Sequence, residues 1–135
     1  MIFTRKIEKC DQNMLEVIKY EQDMLVFSAA KLPEKIGAEK NLFLESFLLH
    51  ARNLIGFLEV SEKATKDDIL ITDFKNTVGE PMVPISLNLD RDIKKKINKH
   101  CQHLSRNRLK EKWSWDVVGI KDEILRCMNR FYNDL

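Results

Sequence analysis

Apolar residues recur at threes, fours and sevens along four segments of the chain, the spacing that gives a helix one inward face. The first segment runs from about Ile7 to Ala30, with Ile7, Met14, Ile18 and Leu25 inward and Lys9, Glu16, Lys19 and Asp23 outward. Pro33 and Gly37 interrupt it. A second helix is predicted over about Ala38–Val60, where Phe43, Leu44, Phe47, Ala51, Leu54, Ile55 and Leu58 fill a wide apolar arc. Only Asn41, Glu45, Arg52 and Glu59 then point plainly outward, so this helix should be the central one.

Residues 61–87 lack this regularity. Asp67–Phe74 reads as a short helix or an extended piece, and Thr77–Pro84, with its Gly and two Pro, as loop. Connections of this length often pack over a site, and the preferred reading is a passive lid on the helices. Asn88 is the expected N-cap of the third helix, which carries Ile93, Ile97, Cys101 and Leu104 inward and continues to about Asn107. The fourth starts at Ser114 or Trp115 and buries Val117, Ile120, Ile124, Leu125, Met128 and Phe131. The fold class is therefore all-α: a four-helix bundle with a long irregular connection between helices 2 and 3.

Composition narrows this further. A chain of 135 residues is expected to form a single domain, 1–135, that folds without disulfide or metal. Four Gly and three Pro are too few for an all-β chain with many tight turns. Cys10, Cys101 and Cys127 show no Cys-x-x-Cys spacing and read as packing residues. No signal-like apolar stretch opens the sequence, and Asn41–Val60 is interrupted by Glu45, His50, Arg52 and Glu59, so no membrane partner is expected and the location is read as cytoplasmic.

Charge adds the first functional hint. Arg91–Lys112 holds nine basic residues against Asp92 and Glu111, a local +7 in a chain whose net charge is only +2. Such asymmetry suits an anionic partner, RNA or nucleotide, although a solvated face balanced by acidic neighbours gives the same pattern. Lys95, Lys99, Gln102 and Arg106 share one face of the third helix, with His103 at its border and Lys96 two turns back. A histidine there can exchange protons near neutral pH while the cations grip phosphate; the alternative is a partly buried, hydrogen-bonded side chain. His50 and Arg52 sit on the second helix, His50 near Ser46 and Asn53, on a strip that would meet the His103 edge or close a core network. His100 and His103 with Cys101 or His50 lack a second ligand pair, so neither a metal nor another cofactor is expected. Trp113 or Trp115 could stack on bases, but one indole wedged into the end of the helices is preferred.

Phe43–Phe57 followed by Asp67-Asp-Ile-Leu, and Ile97–Arg106 followed by a Trp and a terminal amphipathic helix, resemble a group of small uncharacterised bacterial proteins. The pattern is similar to the HEPN superfamily (higher eukaryotes and prokaryotes nucleotide-binding), especially abortive-infection relatives with an Asn…His-Leu segment. The resemblance implies a four-helix, often homodimeric fold and a metal-independent ribonuclease or RNA-binding role in bacterial defence or toxin–antitoxin systems, with an antitoxin-like protein as a further partner. It implies His103 as catalytic acid/base with Lys96, phosphate contacts from Lys95, Lys99 and Arg106, and support from Asn98, Asn107, His50 and Arg52. The family's arginine, four to six intervening residues before the histidine, is missing: Lys96, Ile97 and Asn98 stand there before His103, and Ile93, Lys94 and Lys95 before His100. Lysine supplies charge without the planar bidentate grip of guanidinium. The expected function is thus a HEPN-like domain binding RNA or nucleotide, with degenerate ribonuclease chemistry. The alternative is a non-enzymatic helical interaction or dimerisation module.

Overall fold

A computed structural model describes residues 9–102 and 114–135. Among these residues there are four α-helices and no strand: α1 (Lys9–Lys31), α2 (Gly37–Glu59), α3 (Arg91–Gln102) and α4 (Val117–Asp134). The all-α expectation holds, and α2 is central, touching α1, α3 and α4. None of these helices is long and apolar enough to cross a membrane.

The helix ends follow local chemistry, though not always at the expected residue. Pro33 sits in a 3₁₀ turn, Leu32–Glu34, that closes α1. Gly37 opens α2 at φ +61°, a left-handed conformation that a Cβ would disfavour. Asn88 does not cap α3. Asp90 does: its Oδ1 accepts the Asp92 N–H at 3.0 Å and its carbonyl accepts the Lys94 N–H at 3.2 Å, and the Asn88 N–H donates separately to Glu123 Oε2 at 2.5 Å. Likewise α4 begins three residues past Ser114, because Asp116 accepts the Gly119 N–H at 3.0 Å and sets the cap there.

The connection between α2 and α3 is not a lid. It delivers Ile71, Phe74, Met82, Ile85 and Leu87 into the same buried cluster as the helices. At its centre Phe57 of α2, Phe74 of the connection and Phe131 of α4 meet edge-to-face, with centroids 5.1–6.0 Å apart. Edge-to-face rings of this kind add about 0.5–1.5 kcal/mol per pair beyond their burial. The backbone of the connection is satisfied by what it covers. Ile85 N–H donates to Leu58 O at 2.8 Å, Leu87 N–H to Glu59 Oε2 at 2.9 Å and Thr77 N–H to Asp134 O at 3.1 Å. A turn at Asn76–Glu80, with Gly79 at φ +85°, folds the chain back so that Met82 N–H reaches Phe74 O at 2.9 Å. Irregular chain can be packed this deeply only when its donors find such partners.

Glu123 ties α4 to the start of α3. It accepts from Arg126 at 2.6 and 2.8 Å as well as from Asn88. The Arg126 hydrogen bond, aided by the Asn88 N–H, pushes the Glu123 carboxyl down to about 2, against a burial effect that opposes it.

Two outcomes follow from this packing. Phe131→Ala empties a site shared by three elements and should cost about 3–5 kcal/mol, read as a loss of denaturant midpoint at unchanged slope. Because the folded carboxyl of Glu123 titrates below its ordinary 4.5, its contribution is complete above that value and is lost as pH falls towards about 2. Thermal melts across that window should show a shallower loss of stability in Glu123→Gln than in the parent.

Candidate functional site

His50, Arg52 and Asn53 lie within one turn of α2, yet they work on opposite flanks of it. Two residues along a helix are about 200° apart, so His50 and Arg52 cannot face the same neighbour. His50 turns to α1 and Arg52 to α3.

On the α3 side, Arg52 Nε donates to Asn98 Oδ1 at 3.2 Å. Two residues singled out separately in the sequence are thereby joined across a helix interface. The bond fixes a half-buried guanidinium beside α3, on which Lys95, Lys96 and Lys99 are exposed. Lys95 and Lys99 are one turn apart, a like-charge pair that costs an isolated helix about 0.2–0.5 kcal/mol. An anion bound between them would relieve that repulsion. Lys94, on the same helix, is withdrawn from this face: its Nζ pairs with Glu59 of α2 at 3.0 and 3.3 Å. Glu59 and Arg52 were both expected to point outward; the structure turns both towards α3, leaving Leu42, Glu45, Leu49, Asn53 and Gly56 as the exposed crest of α2.

On the α1 side, His50 Nδ1 donates to Glu21 Oε2, and Asn53 Nδ2 donates to the same oxygen at 3.2 Å. The Tyr20 ring meets the imidazole edge-on at 5.9 Å, and only 9% of the His50 side chain is exposed. Donation from Nδ1 leaves the lone pair of a neutral ring on Nε2, so Glu21 selects the tautomer as well as the orientation. The strip carrying His50 thus closes a polar network within the core, one of the two readings of it, with its partner on α1; the His103 edge lies outside the described residues. Glu21 went unnoticed in the sequence, although it left a trace. It lies three residues after Ile18 and four before Leu25, both buried, so it shares the inward stripe of α1. A carboxylate on such a stripe requires a donor, and His50 with Asn53 supplies two.

At the other end of α3, His100 is half-buried and its ring stands edge-on to Trp115 at 6.0 Å, with Trp115 packed against the core. That indole therefore fills the end of the helices. Cys127 is fully buried, and burial first, then the nearby Glu123 charge, pushes its thiol up, consistent with a packing role. Among the described residues no three His, Cys, Asp or Glu side chains converge to hold a metal ion. His103, Arg106 and Asn107 fall outside the described residues.

The Glu21–His50 pair makes a stability test possible. His50→Ala leaves Glu21 without its closest donor and should cost about 1–3 kcal/mol, a fall of roughly 4–10 °C in melting temperature. Glu21→Gln keeps an acceptor for His50 and should lose less. Equal losses in the two variants would show that packing, not the hydrogen bond, sets the cost.

Comparisons with protein-family models, curated proteins and solved structures give no match for this chain.

Proposed function

We propose that this chain is a HEPN-like helical protein that binds RNA or nucleotide phosphate on the α2–α3 face, through Arg52, Lys95 and Lys99. The observation that carries the reading is the Arg52–Asn98 bond, 3.2 Å across the two helices. It sets a guanidinium beside a lysine-rich helix, offering the bidentate phosphate grip that lysines alone do not provide. Arg52 thus brings to this face, from α2, a guanidinium of the kind that the sequence before His103 lacks. Diversion of Lys94 into an ion pair with Glu59 leaves the remaining cations facing outward.

In the catalytic form of this proposal His103 is the general acid/base and Lys96 stands beside the scissile phosphate, with Arg106 and Asn107 further along the same segment. That chemistry fits a metal-independent ribonuclease in a bacterial defence or toxin–antitoxin setting, where an antitoxin-like protein would be a further partner. Binding is the more general claim, because it needs only the cationic face.

Fluorescence anisotropy with a labelled single-stranded RNA tests it. Lys95→Glu with Lys99→Glu should weaken binding at least about tenfold and flatten its salt dependence, since each lost phosphate contact removes about one from the slope. Arg52→Lys, which keeps the charge but not the fork, should weaken binding with little change in slope. A parent with no affinity at low salt would end this reading and leave the non-enzymatic interaction module.

A further inference from the structure

Where the connection turns back at Asn76–Glu80, it forms with the end of α4 a cavity of about 350 Å³, within the size range of small-ligand sites. Ile71, Met82 and Phe131, all buried, give it an apolar floor. Three charged side chains also line it: Arg130 and Asp134, one turn apart on α4, and Glu80 from the turn. Among the described residues none of the three forms an ion pair, although Arg130 and Asp134 stand at the spacing at which such pairs form on a helix. The walls are fixed to each other. Asn76 Oδ1 accepts the Val78 and Glu80 N–H groups at 3.1 and 3.0 Å, and the Thr77 N–H donates to Asp134 O at 3.1 Å, so turn and helix end keep one spacing. A site held ready in this way loses less on binding than one that must first be ordered.

We infer that this cavity binds a free basic α-amino acid, of the lysine or arginine class. The charges choose the ligand. A guanidinium is the planar partner of a carboxylate, which it grips with two parallel hydrogen bonds, so Arg130 takes the α-carboxylate. Two carboxylates remain, and each asks for a cation. Asp134, one turn from Arg130, takes the α-ammonium, and Glu80, on the other wall, takes the cation at the end of the side chain. Between these ends the methylenes of the ligand lie on Ile71, Met82 and Phe131, as lysine stems lie on apolar surface within proteins. Other ligand classes fit the same groups poorly. The lining carries one positive and two negative charges, which repels a polyanion such as RNA. A bare metal ion would meet Arg130 and the apolar floor, and a neutral apolar molecule would strip water from three charges without pairing them. An amino acid with a cationic side chain carries the opposite inventory, two positive charges and one negative, and brings the cavity to neutrality. The α3 lysines line no part of it, so the inference stands independently of RNA binding.

Isothermal titration calorimetry of the full chain with L-lysine and L-arginine tests it. Either should bind saturably at one site per chain and raise the melting temperature. Norleucine keeps the α-groups and the methylenes but has no terminal ammonium, and should bind at least about tenfold more weakly than L-lysine. The diamine 1,5-diaminopentane has no carboxylate and should lose a similar factor. Arg130→Gln should weaken L-lysine at least about tenfold while leaving the diamine bound no worse than by the parent. Glu80→Gln should remove the preference for L-lysine over norleucine. Both side chains are exposed, so circular dichroism of each variant should match the parent. Absence of saturable heat with both L-lysine and L-arginine at millimolar concentration would overturn the inference. So would an Arg130→Gln variant that binds L-lysine as the parent does, or norleucine bound as tightly as L-lysine.

Discussion

The meeting of Phe57, Phe74 and Phe131 is the contact on which the rest of the molecule depends. It joins α2, the long connection and α4 at one point, with all three rings almost wholly removed from solvent. Once Phe74 is held there, the chain after it can turn at Asn76–Glu80 and run back along α2, where Leu58 O and the Glu59 carboxylate accept its N–H groups. That return places Asp90 where α3 must begin. The orientation of α3, and with it the direction of its lysines, is inherited from an aromatic contact remote in sequence.

Helix α2 divides the chemistry of the molecule between its flanks. Towards α3 it spends Arg52 and Glu59 on Asn98 and Lys94, one charge-assisted hydrogen bond and one ion pair, and leaves Lys95 and Lys99 exposed. Towards α1 it closes His50 and Asn53 onto Glu21, a small network in which one carboxylate oxygen accepts from both side chains. The first arrangement leaves Lys95 and Lys99 exposed to solvent and the second pairs its carboxylate internally. A partly buried ion pair such as Lys94–Glu59 fixes orientation more than it stabilises, because desolvation offsets much of its attraction. Its consequence is directional: it anchors the start of α3 against α2 so that Lys95 and Lys99, at other angles on the helix, face solvent.

Helix α1 also keeps an outer apolar stripe, Val17, Tyr20, Met24 and Phe27. An ordered apolar stripe left exposed on a helix marks either an interaction surface or an aggregation liability. Ion pairs and ring contacts at its border, such as Lys35 with Glu39 at 3.3 Å and Lys35 over Phe43 at 5.7 Å, frame the stripe without covering it. The basic face and the apolar face are therefore separate surfaces, on α3 and α1, with the exposed crest of α2 between them.

The sequence by itself determined the four helices, the central position of α2 and most of the inward face of α4, Ile120, Ile124, Met128 and Phe131 but not Leu125, because apolar periodicity acts within one turn and needs no partner. It also indicated the break at Pro33 and Gly37 and the packing role of Cys127, each a local matter of backbone or side-chain chemistry. Tertiary structure decided everything that depends on which helix a residue meets. Asn88 looked like a cap, but the cap falls two residues later at Asp90, and the Asn88 N–H serves instead as a tether to Glu123, thirty-five positions away. Residues 61–87 looked like a covering loop because their apolar positions follow no single period, yet Phe74, Met82 and Ile85 are core. Arg52 and Asn98 were each visible as polar residues near a basic helix, whereas their bond was not, and Glu21 was overlooked beside His50. Periodicity states that a side chain turns inward; the rotation and crossing of neighbouring helices set what it finds there, and those are properties of the packed molecule alone.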